Sequence, residues 1–157
     1  MERLLVKTTP ELPRRARGFV VKAELRLTPD NKGIGVFAAE FIPANTRLDD
    51  LHILYFDEQE TLKLLASLPN DDARRYWLEH AFEIKGKVGV YDTNFHDGGM
   101  VNHSDDPNLA TNYQDGYMYA ITDINEGEEL TEDYSKAEEV PFFTNLCKKY
   151  GVPDWYY

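Results

Sequence analysis

The stretch 98–134, GGMVNHSDDPNLATNYQDGYMYAITDINEGEELTEDY, constrains this chain more than any other. Asp105-Asp106-Pro107-Asn108, Gln114-Asp115-Gly116 and Asn125-Glu126-Gly127 interrupt it before a long element can form. Asn, Asp and Gly make turns because their side chains serve the local backbone or because positive φ is open to them. What remains between the turns is short: residues 109–113 and 117–121 read as two strands around one tight turn. Other runs behave alike. Residues 19–27, 46–56, 77–84 and 88–91 read as strands, and Val36-Phe37-Ala38 opens another after Gly33-Ile34-Gly35. Helical signals are fewer. Asp57 with Glu60 forms a capping-box pattern ahead of residues 58–68, with Leu62, Leu65 and Leu68 as its apolar stripe. Asp71-Asp72 introduces a shorter helical turn through Tyr76. Pro141 and Gly151 bracket a last helix, in which Phe142, Leu146 and Tyr150 share a face. The expected class is mainly β, a β-rich α+β fold of several small sheets with few short helices.

Composition narrows the function classes. With 157 residues, 42% apolar and 29% charged, the chain reads as one globular domain able to bury an ordinary core. No run approaches a membrane span, and the N-terminal residues lack the apolar region of a signal peptide, so a cytoplasmic place (nuclear in a eukaryote) is expected. The single Cys147 excludes an internal disulfide and a cysteine-rich zinc site. A net charge of −11 argues against direct nucleic-acid binding, which relies on Lys and Arg at phosphates, and favours a basic protein or peptide as partner. Residues 1–17 read as an arm whose Arg14, Arg15 and Arg17 dock on the acidic body, meet a partner or stay solvated. No metal is expected: His96-Asp97 and His103-Ser104-Asp105-Asp106 repeat no ligand spacing. Nor is a nucleophilic hydrolase, since Cys147 falls within a helix and Ser104 lacks a nucleophile-elbow context.

Asn102-His103-Ser104-Asp105-Asp106-Pro107-Asn108, followed by Gly127-Glu128-Glu129-Leu130-Thr131-Glu132-Asp133-Tyr134, resembles the paired signature motifs of SET-domain protein lysine methyltransferases. Upstream, Lys32-Gly33-Ile34-Gly35-Val36-Phe37-Ala38 and then Ile42-Pro43-Ala44-Asn45-Thr46 resemble that family's N-terminal motif and its following turn. The resemblance covers residues 18–135, in the family's order. It implies a SET fold with a C-terminal pseudoknot, preceded by the arm 1–17 and completed by a helix and aromatic tail over 136–157. It implies transfer of methyl groups from S-adenosyl-L-methionine to a lysine of a protein substrate, with histone tails, ribosomal proteins and other basic targets all admissible. The alternative is a non-catalytic SET-fold module that binds a basic peptide or protein.

Roles carry over residue by residue. Tyr134 matches the catalytic tyrosine beside the transferring methyl. Asn102 and His103 match the cofactor-binding pair, and the main chain of Lys32, Gly33, Ile34 and Gly35 lies against the methionine portion, with Tyr134 adjoining. Tyr119 falls near the Phe/Tyr switch of the substrate channel, where a tyrosine favours fewer methyl groups, and Trp155 is a candidate for the channel wall. This chain departs from the pattern in several places, and the Tyr-x-Gly element often found after the second strand is not evident in residues 51–59, LHILYFDEQ. Glu132 stands where an aromatic residue is common, Gly98-Gly99-Met100-Val101 replaces an arginine-containing lead-in, and zinc-binding cysteines are missing on both sides. The chemistry asks for a neutral amine, alignment and exclusion of water. Lysine is protonated at neutral pH, so the site must favour its neutral form.

Overall fold

The computed structural model describes residues 12–30, 33–49, 52–137 and 139–153. Among them, ten strands form three small sheets and three helices are short, which is the β-rich class expected from the turn spacing. β1 (Arg14–Arg15), β2 (Ala23–Leu27) and β3 (Ile34–Ala38) make an antiparallel sheet with Leu25 opposite Val36. β4 (Ile53–Phe56), β5 (Ala81–Ile84) and β6 (Lys87–Tyr91) make a second, with β6 in the middle. Between β4 and β5 lie α1 (Glu58–Ser67) and α2 (Asp71–Glu79). The third sheet holds β7 (Asn102–His103), β8 (Leu109–Asn112), β9 (Tyr117–Ala120) and β10 (Thr131–Glu132), in the order β7-β10-β8-β9. α3 (Pro141–Tyr150) follows.

Local signals explain the helices. Asp57 accepts from Glu60 N–H while the Glu60 carboxylate accepts from Asp57 N–H, the complete capping box. α3 has Pro141 in its first turn and ends on Gly151 at φ 69°, a left-handed closure that glycine takes without strain. Two helical expectations are corrected. α2 continues to Glu79 rather than stopping at Tyr76, so Trp77 is helical; the Asn70 side chain caps its start by accepting from Ala73 N–H. In α1 the buried face runs through Thr61 and Leu65, and Leu62 is 47% exposed. In α3 the buried residues are Phe143, Thr144, Leu146 and Cys147, whereas Phe142 and Tyr150 are only partly buried. The strand expected over 46–56 shortens to Ile53–Phe56, and that over 19–27 to Ala23–Leu27.

Two cores result. One gathers Leu25, Val36, Ile42, Leu48, Leu109, Met118, Ile124 and Leu130 under the first and third sheets. The other packs Leu65, Leu78, Val88, Phe143 and Cys147 between the helices and the second sheet, with Trp77 edge-on to Phe56. Part of the basic arm docks on the body: Arg14 and Arg17 pair with the Asp97 carboxylate at 3.1 and 2.9 Å. Burial alone would raise that carboxyl, but hydrogen bonds from Arg17 and Arg14 outweigh it and hold it at about 2. Among the described residues no helix is long and apolar enough to cross a membrane.

Candidate functional site

β10 is the element that builds the site. It runs parallel to β7, with Thr131 opposite Asn102 and Glu132 opposite His103, and parallel to β8 on its other side. A late strand thus slots between two earlier, consecutive ones. Asn108 clamps it there: its Nδ2 donates to the Glu129 carbonyl at 2.8 Å and its Oδ1 accepts from Thr131 N–H at 2.9 Å. An amide suits that position because it offers a donor and an acceptor on two separate atoms. Ser104 N–H closes the other side on the Glu132 carbonyl at 3.0 Å. Two motifs 24 residues apart in numbering, from Ser104 to Glu128, therefore share one sheet.

β3 joins them from a different sheet. Ala38 N–H donates to the Glu128 carbonyl and Leu130 N–H to the Val36 carbonyl, at 2.9 and 2.7 Å. Gly35 is required by this approach: a Cβ there would lie 2.5 Å from Glu129 Oε1 and 3.1 Å from Asn102 Nδ2. Asn102 Nδ2 donates to Glu129 Oε1 at 2.7 Å and to the Ile34 carbonyl at 3.3 Å. Its Oδ1 has no hydrogen-bond partner among the described residues. At Gly33, with φ +112°, no atom comes within 4 Å of a built Cβ. The corner so formed presents a carboxylate, a carbonyl and an amide oxygen beside open space. Acceptors of that kind suit a cation.

His103 holds Tyr134. Its Nδ1 accepts from Tyr134 N–H at 3.2 Å, so the neutral ring carries its proton on Nε2, which faces Asp105 Oδ1 at 3.2 Å. The Tyr134 phenol donates to the Val101 carbonyl at 2.5 Å, one residue from Asn102. Tyr134 also lines a cavity of about 70 Å³, together with Tyr91, Thr111, Tyr113 and Glu132. Phe82, Glu83 and Phe143, from the second core's side, line it too. Burial first, then the charges of Glu132 and Asp49, push the Tyr91 phenol well above its ordinary range, which keeps it protonated. Burial likewise pushes the Glu132 carboxyl up to about 7, although the Thr111 hydroxyl donates to its Oε1.

Of the residues singled out from the sequence, Gly33, Ile34, Gly35, Asn102, His103, Glu132 and Tyr134 fall in this region. Lys32 and Trp155 lie outside the described residues. Tyr119 is placed elsewhere, in an open recess with Asn45, Arg47, Asn112 and Tyr117. The pleat explains it: the next residue back, Met118, is fully buried in the core, so Tyr119 projects from the opposite face. Thr111, Tyr113, Tyr91 and the Val101 carbonyl were not legible as site parts, since a strand residue carries no mark of which cavity it will meet. His96 proves structural. It is buried against Asp49, Nε2 to Oδ2 at 3.2 Å, and its Nδ1 accepts from Gly98 N–H at 2.7 Å. Cys147 is buried in α3, its thiol pushed up to about 12 by that burial and by Glu83, which leaves it inert as a nucleophile. Among the described residues, no group of three or more His, Cys, Asp or Glu side chains is placed to hold a metal ion.

Comparison with known proteins adds to this geometry. Among solved structures, a Plasmodium falciparum protein described as a "putative histone methyltransferase" is similar over 71% of this chain and 90% of its own, at 21% identity and a TM-score of 0.49. No curated protein gives a significant match. The sequence model of the SET domain matches residues 33–135, a span that holds β3, the Asn102-His103 strand, the inserted β10 and Tyr134. The chain belongs to the SET-domain family.

Proposed function

We propose that this protein transfers methyl groups from S-adenosyl-L-methionine to lysine side chains of a basic protein substrate. One observation carries the reading: insertion of β10 between β7 and β8 brings the Tyr134 phenol within 2.5 Å of the carbonyl next to Asn102. A phenol whose hydroxyl donates to the Val101 carbonyl, on a residue whose own N–H donates to the His103 ring, is pre-organised, which is what a reaction depending on alignment needs. The acceptor-rich corner of Asn102, Glu129 and the Ile34 carbonyl fits the cationic amino-acid end of the cofactor, and the open side of Gly33 leaves it room. When bound there, S-adenosyl-L-methionine supplies an electrophilic methyl on a sulfonium. Asn102 would hold the amino-acid portion and the Gly33-Ile34-Gly35 main chain would flank it. Tyr134 and Tyr91 would narrow the approach of a lysine and exclude water. Burial in the cavity takes the amine out of water, which by desolvation favours its neutral form. The charge of −11 supports a basic partner through the summed field.

Calorimetric titration with S-adenosyl-L-methionine tests the cofactor part. Asn102→Ala is expected to weaken binding about tenfold, the equivalent of one hydrogen bond to a charged group. Tyr134→Phe should bind the cofactor as wild type does yet transfer methyl roughly a hundredfold more slowly. Folded wild-type protein that binds no cofactor would overturn the reading. Glu132, standing where an aromatic residue is common, is the observation that favours a binding module instead; equal transfer by wild type and Tyr134→Phe, at background level, would support that alternative.

A further inference from the structure

Glu132 is the one residue of the cavity whose chemistry the alignment-and-desolvation account leaves unused. It sits two residues before Tyr134 and lines the same cavity. Its Oε1 accepts the Thr111 hydroxyl, which fixes the carboxyl's orientation. Among the described residues its Oε2 has no hydrogen-bond partner. We propose that Glu132 takes the proton that a substrate lysine ammonium must lose before methylation, an assignment that rests on the methyltransferase reading above.

The other groups around it are committed. Tyr134 donates its hydroxyl proton to the Val101 carbonyl, and Tyr91 is held protonated. Glu83 accepts from Val140 N–H and the Thr144 hydroxyl, so it serves the start of α3. Glu79 pairs with Arg75, and His80 is exposed, its ring against the Tyr76 carbonyl. Asp49 and Asp133 act on Glu132 only through their charge, which holds its proton more tightly, and Tyr113 completes the titratable wall. Burial puts the carboxyl at about 7, midway between an exposed acid and a lysine, so it alternates between accepting and releasing a proton at neutral pH. In the step, an N–H proton of the ammonium passes to Glu132 Oε2. The freed nitrogen lone pair forms a bond to the methyl carbon as the carbon–sulfur bond breaks, and that electron pair leaves on sulfur as a neutral thioether. The product is a methylated ammonium, and Glu132 returns its proton to water when the product departs.

The test uses the full chain, radiolabelled S-adenosyl-L-methionine and poly-L-lysine with a mixture of short lysine peptides as acceptors. Wild-type kcat/KM should rise with pH up to about 7 and then level. Glu132→Gln keeps the shape and the Thr111 contact; it should transfer about a hundredfold more slowly at pH 7 and regain rate steadily toward the lysine's own pKa near 10.4. Thr111→Val, which removes the hydrogen bond that lowers the Glu132 carboxyl, should move the wild-type inflection upward. Cofactor affinity, read by calorimetry, should be unchanged in both variants. A Glu132→Gln profile parallel to wild type at equal rate overturns the proton role while leaving the methyltransferase intact. Wild-type protein that binds cofactor but methylates no acceptor overturns the methyltransferase reading, and the proton role falls with it.

Discussion

The two cores of this protein are built on different principles. The helical side, around Leu65, Leu78 and Phe143, is held by caps and by ordinary apolar packing. The side that carries the candidate site is held by backbone running close to backbone, β10 being bonded to β7 and β8 and the residues just before it to β3. Tyr134 and Glu132 come from the second kind of structure, whereas Phe82 and Phe143 of the first kind line the same cavity. A site at such a seam takes the polar groups of Tyr134 and Glu132 from the side that β10 builds and part of its apolar wall from the helical one.

A matched pair of glycines offers the hardest break of that contrast. Gly18 and Gly86 both have positive φ, +86° and +70°. At Gly18 a Cβ would lie 2.3 Å from the buried His96 ring, whereas at Gly86, in the β5–β6 turn, nothing lies within 4 Å. Gly18→Ala is therefore expected to destabilise by roughly 3 kcal/mol or more, from clash and backbone strain together. Gly86→Ala should lose only about 1 kcal/mol, the left-handed strain alone. Urea unfolding of the two variants decides it; equal losses would mean that the His96 surroundings yield as readily as a surface turn.

The next effect is electrostatic and has a definite sign. The Glu132 carboxyl is raised by burial from its ordinary 4.5 to about 7 in the folded chain. Below pH 4.5 it is neutral in both folded and unfolded protein. Between pH 4.5 and about 7 the unfolded chain is ionised while the folded one still holds its proton, so the folded state loses stability across that window and the loss is complete above it. Glu132→Gln removes that loss. It should match wild type near pH 4 and exceed it at pH 8 by about 2 kcal/mol, allowing for the residue's partial exposure. Thermal or urea melts at the two pH values measure the difference, and no gain at pH 8 would mean the carboxylate is well hydrated. A stabilising substitution that slows catalysis would mark Glu132 as retained for function.

The smallest effect falls on the helical side. Asp57→Ala breaks the capping box of α1 and should lower stability by about 1 kcal/mol. Cofactor affinity should not move, since α1 contributes no residue to the cavity. A change in affinity would show that the two sides are coupled more tightly than their packing indicates.

The same division governs what could be read in advance. Asp57 with Glu60, and Pro141 with Gly151, announced their helices because caps and terminators act within one turn, and the short strands followed from the turn residues between them. Asn102, His103 and Tyr134 stood out only because their motifs resemble the paired signature of the SET family; their polar composition by itself reads as turns. Tyr119 faces a different recess from Tyr134 for a reason that is equally physical: a strand's pleat has two faces, and nothing local told which face Met118 would claim for the core. Thr111, Tyr91 and Val101 bear no local mark at all. They became site residues when β10 slid between β7 and β8, a pairing fixed by Asn108 and by the fit of Gly35 against Glu129. Short-range chemistry along the chain determined the elements, their caps and the candidate motifs. The closure of distant backbone hydrogen bonds decided the site, because a donor and its acceptor many residues apart meet only once the whole chain is packed.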